Sequence, residues 1–202
     1  MPPHDHDHDH DHDQDAPHTH EPGPLADASV RLAREADAPA VGIVQAIIMS
    51  QSYAAVLAPE AIAQFEPGTL ASAWRRSLRE PPTRDHRLLV ACAGAQVVGF
   101  AAVGPSTDPD AADETAELIV LGVHPDARHQ GHGSRLVNAV VDTARGSGRS
   151  ELTAWLLESD LATRDFLGAA GLEPDGASRE RVVSPAGDTR REVRFSAILT
   201  EP

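Results

Sequence analysis

The most informative spacing in the chain is Arg128-His129-Gln130-Gly131-His132-Gly133-Ser134, which follows an apolar run ending at Val123 and opens an amphipathic segment. Glycines at 131 and 133 remove side chains where a ligand's phosphates could approach the backbone. The first N–H groups of a helix have no intrahelical partner and carry the positive dipole end, roughly half a charge, so a pyrophosphate is matched there. Arg128 adds a full charge beside them. Two other phosphate-binding turns fail on spacing or composition. A dinucleotide turn wants glycines directly after the strand and a third one later, whereas seven residues separate Val123 from Gly131 and Leu136 holds the third place. An NTPase phosphate loop needs Gly-Lys-Ser/Thr, and all 17 bases of this chain are arginine. The lack of lysine also removes Schiff-base and lysine general-base chemistry.

A second feature of possible chemistry is the alternating segment His4, His6, His8, His10 and His12. In an extended chain these imidazoles share one side about 7 Å apart, a spacing that can chelate zinc, nickel or copper. The competing reading is a solvated tail. Residues 1–24 are low-complexity and proline-flanked, with seven histidines and seven acids, and nothing in them builds a core. Residues 1–27 are therefore expected to be a disordered His/Asp-rich tail, and 28–202 a single catalytic domain.

The elements that must position these residues follow from periodicity. Val30 to Ala33 alternates like a short strand, and Asp37 can cap a helix running to about Met49, with Val41, Val44, Ile47 and Ile48 as its apolar stripe. Pro59 starts a short helix, and Leu70, Trp74 and Leu78 recur every four residues in another over Thr69 to Arg79. His86 to Cys92 and Ala95 to Val103 read as strands of a hairpin turning at Ala93-Gly94. Glu117 to Val123 is a continuously apolar buried strand. Ser134 to Arg145 is an amphipathic helix. Glu151 to Leu157 returns as a strand, Ser159 or Asp160 caps a helix ending at Gly171, and strands Arg179 to Val183 and Glu192 to Leu199 close the chain.

Composition narrows the function classes. With 202 residues the chain can bury one good core. Cys92 is the only cysteine, which excludes an intramolecular disulfide and points to a buried strand position. The formal charge is −14, and the portion after residue 24 still carries 24 acids against 17 bases. Such a surface repels nucleic acid and anionic lipid and favours cationic amines or basic peptides. No run approaches the roughly 20 apolar residues of a membrane span, and no basic-then-apolar signal pattern opens the chain, so a cytoplasmic location is expected.

Val123-His124-Pro125 followed by Arg128-x-x-Gly131-x-Gly133 resembles the acyl-CoA-binding motif of the GCN5-related N-acetyltransferase (GNAT) superfamily. The element order from Val30 to Leu199 is similar too, including the helix ending Phe166-Leu167-Gly168-Ala169-Ala170-Gly171-Leu172. The resemblance implies an α/β fold of the α+β kind. Its mixed, largely antiparallel sheet would have about six or seven strands, flanked by helices. It implies that backbone groups of Leu121 and Val123 hold the pantetheine arm along a strand splayed from its neighbour, and that amides of Arg128, His129, Gln130, Gly131, His132, Gly133 and Ser134 hold the pyrophosphate. Acetyl-CoA would be the cosubstrate, with direct transfer to an amine and no metal required. The acceptor would be a small-molecule amine or a peptide N-terminus, and a homodimer is an assembly open to the enzyme.

An alkylamine with a pKa of about 10.4 is protonated at neutral pH, so a base is needed. Glu117, the one charge at the head of its strand, is the candidate, and several family members carry a glutamate at the matching place. Asp113, Glu114 and His124 are weaker candidates. Relatives often supply the thiolate's proton from a tyrosine after the helix phenylalanine; here that position is Leu167, so the acid is unassigned, with Ser159, a water or the departing amine proton as alternatives. The acceptor pocket would lie between the early helices and the turn near Pro185, with Tyr53 and Trp74 as lining candidates that more often serve as core. Two further readings stand beside the enzyme: a non-catalytic acyl-CoA sensor on the same fold, and a metal-binding protein acting through the tail.

Overall fold

Seven strands run along the described residues: β1 (Ala28–Leu32), β2 (Arg87–Ala93), β3 (Gln96–Pro105), β4 (Thr115–Val123), β5 (Glu151–Leu157), β6 (Glu173–Val182) and β7 (Thr189–Ile198). Five helices join them among the described residues: α1 (Ala38–Tyr53), α2 (Pro59–Ile62), α3 (Pro67–Arg79), α4 (His132–Gly146) and α5 (Leu161–Ala169). The computed structural model describes residues 28–54, 59–63, 65–183 and 187–199. The His/Asp-rich segment, with His4, His6, His8, His10 and His12, and the turn at Pro185 lie outside them.

The strands form one sheet in the order β1-β2-β3-β4-β5-β7-β6. Every neighbouring pair is antiparallel except β4 and β5, which run parallel. That agrees with the mixed, largely antiparallel sheet expected. One face carries α4 and α5: Leu136, Val137 and Val140 of α4 and Leu167 of α5 pack with Ala116, Leu118, Leu152, Ala154 and Phe195. A fully buried Leu or Val contributes roughly 1.5–3 kcal/mol, so α4's stripe fixes the helix firmly on the sheet. On the opposite face α1 and α3 cover β2 and β3, through Val41, Val44, Val90, Phe100 and Trp74. Buried Cys92 belongs to this second core.

Several boundaries differ from the periodicity. Asp37 does not cap α1. Its carboxylate takes both arms of Arg31, at 2.7 and 2.9 Å, and the Arg34 amide at 2.7 Å, ending a short 3-10 turn before the helix. Asp160 does cap α5, accepting the Thr163 amide at 3.1 Å. The largest difference is β6, which starts at Glu173, six residues before the strand read from the sequence. Pro174 and Gly176 hide its first half: the pairing with β7 slips between Pro174 and Ser178, where Gly176 takes a left-handed φ of 91°.

Candidate functional site

The site begins where two parallel strands part. β4 pairs with β5 only at Thr115, Ala116 and Glu117, opposite Glu151, Leu152 and Thr153. Side chains clamp this short ladder, with Thr115 Oγ1 donating to Glu151 at 3.0 Å and Thr153 Oγ1 to the Ala116 carbonyl at 3.2 Å. Beyond Glu117 no pairing joins β4 to β5. A cause lies on the other side of β4, where consecutive β3 residues Ala102 and Val103 face Val120 and Leu118, leaving Ile119 as an extra residue. A bulge of this kind bends and twists the strand that carries it.

The open edge presents particular groups. Alternate residues of an antiparallel strand turn their N–H and C=O to opposite sides. The His124 amide donates to Val98 of β3 at 2.8 Å, so Gly122 and Val120 face β3 and Leu121 and Val123 turn theirs toward the gap. The Val123 carbonyl already accepts Arg128 Nε at 3.3 Å.

From Val123 the chain makes a 3-10 turn over Pro125–Ala127, capped by His124, whose Nδ1 accepts the Asp126 amide at 3.3 Å. His124 thus completes a turn. His129 and Gly131 follow in left-handed conformations, with φ of 59° and 79°, and Gly131 is the N-cap of α4. The first donor inside α4 is the Arg135 amide, to the Gly131 carbonyl at 3.1 Å, so the amides of His132, Gly133 and Ser134 have no partner within the helix. The left-handed φ explains the glycine at 131. Gly133 has a packing reason: a Cβ there would sit 3.1 Å from the Phe166 ring of α5, so its missing side chain admits a close helix contact. Arg128 is exposed and reaches back to Val123 and to Gln51 of α1. Gln130 is tied to the Asp126 carbonyl at 3.0 Å. His132 is buried, its Nδ1 without a hydrogen-bond partner, and burial together with Arg135 lowers its pKa.

Glu117 stands at the last rung before the fork, between Gly104 of β3 and Thr153 of β5. Burial raises its pKa above the ordinary carboxylate value, and the Asp108 and Glu192 carboxylates push the same way, against Arg179 and the Thr107 amide. Asp113 and Glu114 lie in the exposed loop just upstream. Leu167, where relatives place a tyrosine, is 1% exposed in the core and has no proton to give. Trp74 is core, donating to Gln45 at 2.6 Å and packed edge-on against Phe100. The side chain of Tyr53 lies outside the described residues.

Sequence reasoning missed the charged cluster beside Glu117. Asp108 accepts the Trp155 indole N–H at 2.9 and 3.1 Å and Arg194 Nη1 at 3.1 Å. Glu192, 2% exposed, accepts Arg179 Nε at 2.7 Å and Arg181 Nη1 at 3.0 Å. The Arg179 guanidinium stacks over the Trp155 ring, 4.2 Å from its centre. The alternation of charges in Glu192-x-Arg194 and Arg179-x-Arg181 is the signal that could have found it, since residues two apart share one face of a strand.

The sequence pattern of the acetyltransferase (GNAT) family matches residues 50–171, from the end of α1 through the fork and α4 to Gly171. The chain belongs to the GNAT acetyltransferase family. Solved GNAT-fold structures align over most of its length. The ribosomal-protein-alanine N-acetyltransferase of Brucella melitensis is 23% identical with a TM-score of 0.64, covering 84% of this chain and 99% of that one. yncA of Salmonella typhimurium, solved with its cofactor acetyl-CoA, is 22% identical with a TM-score of 0.61 over 87% and 95% of the two chains. The PaiA N-acetyltransferase of Thermoplasma acidophilum, in complex with coenzyme A, is 18% identical with a TM-score of 0.59 over 82% and 97%. At these identities the likeness to the GNAT structures is one of fold. No curated protein matches the sequence. No helix among the described residues is long and apolar enough to cross a membrane.

Proposed function

We propose that this GNAT protein is an acetyl-CoA-dependent N-acetyltransferase acting on an amine, with Glu117 as general base. The observation that carries the reading is the fork: a pair of parallel strands joined only up to Glu117, opening toward a helix whose first amides have no partner among the described residues. The residues fit the cosubstrate. Amides of His132, Gly133 and Ser134, with those of His129 to Gly131 before them, suit a diphosphate, whereas the Arg128 amide, expected to join them, already donates to the Pro125 carbonyl at 3.2 Å. Outward-turned backbone groups of Leu121 and Val123 suit the amide-bearing pantetheine arm. Acetyl-CoA would supply the activated acetyl group; two structures of the same fold carry acetyl-CoA or coenzyme A.

The chain's own task is to hold an amine and take its proton. An alkylammonium loses that proton at a cost of about 4.6 kcal/mol at neutral pH, from a pKa of about 10.4 at 1.36 kcal/mol per unit. A carboxylate of ordinary pKa is a poor acceptor for it. Glu117, raised by burial and by Asp108, is a better one while still ionised. With Leu167 buried, the usual acid position has no proton to give, and the departing thiolate would take one from Ser159, from a water, or from the amine nitrogen, which still carries a surplus proton after attack. Glu117→Gln tests the reading: turnover should fall about 10²-fold or more near neutral pH, with partial recovery at high pH. Full turnover in that variant removes the base. Binding of acetyl-CoA with no turnover of any amine would favour the acyl-CoA sensor.

The metal-binding reading concerns the His/Asp segment alone, and metal affinity that vanishes with residues 1–24 while acetylation persists would make it a separate property.

A further inference from the structure

On the face of β5, β7 and β6 away from α4 and α5, the side chains of Trp155, Glu192, Arg194 and Arg179 form a polar floor that continues from Glu117 and Thr153 across the sheet. One member is set apart by its exposure. The Arg179 side chain is 41% exposed although three neighbours fix it: the buried Glu192 carboxylate takes its Nε at 2.7 Å, Trp155 lies under its plane, and Asp108 is 3.7 Å from Nη1. Its hydrogen bond within the described residues leaves through Nε, so the edge formed by Nη1 and Nη2 makes none. Burying a carboxylate is costly unless it is paired. Glu192 is buried and pairs with Arg179 and Arg181, which holds a planar, pre-oriented guanidinium whose Nη1–Nη2 edge makes no hydrogen bond among the described residues, with Asp108 3.7 Å from Nη1 at its side. Such an edge matches a carboxylate with two parallel hydrogen bonds, and stacking on an indole lowers the entropy lost in forming them.

We propose that Arg179 receives a carboxylate of the acceptor, so that the acceptor class is amino acids and related amino-carboxylates rather than polyamines. This deepens the acetyltransferase reading and rests on it: the amine would lie at Glu117 while the acid end is held at Arg179, whose guanidinium lies over Trp155, two residues along β5 from Thr153, the partner of Glu117. The floor is net acidic, with Glu117, Asp108, Asp110, Asp175 and Glu192 set against Arg179, Arg181 and Arg194, so it draws the ammonium end of an acceptor, and the oriented Arg179 is what would select a carboxylate beside it.

The test compares acids with their matched amides. Acetylation of a panel of L-α-amino acids, their primary α-amides and two diamines is followed by thiol release, with acetyl-CoA binding measured separately by calorimetry. The proposal expects the acids to exceed their amides by about tenfold to a hundredfold in kcat/KM, chiefly through KM, as for a charge-assisted pair. Arg179→Gln should bring that ratio close to one by raising KM for the acids, and Arg179→Lys should keep part of it. The ratio is taken within one preparation, so partial misfolding of a variant cancels. Amides or diamines preferred by the wild type, acids and amides weakened alike in Arg179→Gln, or acetyl-CoA bound with no acid acetylated would each overturn it. Failure to bind acetyl-CoA at all would instead sink the acetyltransferase reading beneath it.

Discussion

Arg194 grips Asp110 with both arms of its guanidinium, Nη1 and Nη2 each 3.0 Å from a carboxylate oxygen. The same side chain donates to Asp108 at 3.1 Å and through Nε to Asp175 at 2.6 Å. One residue of β7 therefore pins both the loop between β3 and β4, which carries Thr107 and Asp108 to Glu117, and the irregular start of β6. The Arg194 side chain is 14% exposed and that of Asp108 only 8%. Arg194→Ala leaves an underpaired, largely buried carboxylate and should cost on the order of 3 kcal/mol in urea unfolding. A loss within experimental error would mean the cluster is an ordinary surface network.

Asp108 should set the pH dependence of catalysis. After burial, its carboxylate is the next cause of the raised Glu117 pKa. Asp108→Asn keeps an acceptor for the Trp155 N–H while removing the like charge, so the Glu117 pKa falls toward its ordinary value. A base must be deprotonated to act, and the acidic limb of kcat/KM should therefore move to lower pH. A limb that stays where it was, or moves to higher pH, would show that Glu117 is not the group titrating.

Gly42 and Gly146 should respond in opposite directions to alanine. A Cβ at Gly42 of α1 would lie 2.6 Å from the Pro67 carbonyl and 2.7 Å from the Ala71 amide of α3, both backbone atoms that cannot swing aside. Overpacking of about 1–3 kcal/mol should exceed the helix-propensity gain of about 1 kcal/mol. Gly146, near the end of α4, has nothing within 4 Å of a built Cβ and should gain up to about 1 kcal/mol. Chemical denaturation of the two variants checks both signs.

Acid should destabilise the fold partly through His132. Burial lowers its pKa below 6.5, and His86, packed against Gly104, is lowered for the same reason. Between pH 6.5 and those depressed values the unfolded chain binds protons that the folded chain does not. Stability is thus complete above this window and falls as pH drops through it. His132→Leu should flatten the decline in melting temperature between pH 7 and pH 5; an unchanged slope would assign the loss elsewhere.

Much of this arrangement was legible in the residues. Leu136, Val137, Val140 and Ala144 announce α4 by their period, and the apolar run after Glu117 announces a buried strand, because helix and strand faces repeat at 3.6 and 2. Arg128-x-x-Gly131-x-Gly133 located the turn between them. What periodicity could not reach was set by pairing across the sheet. The extra residue at Ile119 exists only relative to Ala102 and Val103, and the fork follows from it. The cluster of Asp108, Trp155, Arg179, Glu192 and Arg194 is assembled from three strands and a loop, spread over 87 positions from first to last, and charged residues in weakly apolar segments gave no strand signal for Glu173 to Ser178. Gly133 illustrates a subtler limit: a glycine at a helix start can mean room for a ligand or close packing, and the Phe166 ring against it is visible only in the fold.

The central claim is that the amides opening α4, together with the outward groups of Leu121 and Val123, grip acetyl-CoA. Titrating 15N-labelled protein with acetyl-CoA and following backbone amide resonances tests it residue by residue. The largest saturable shifts are expected at Gly131, His132, Gly133 and Ser134, with Leu121 and Val123 next. Binding that leaves those resonances still while moving others would contradict it.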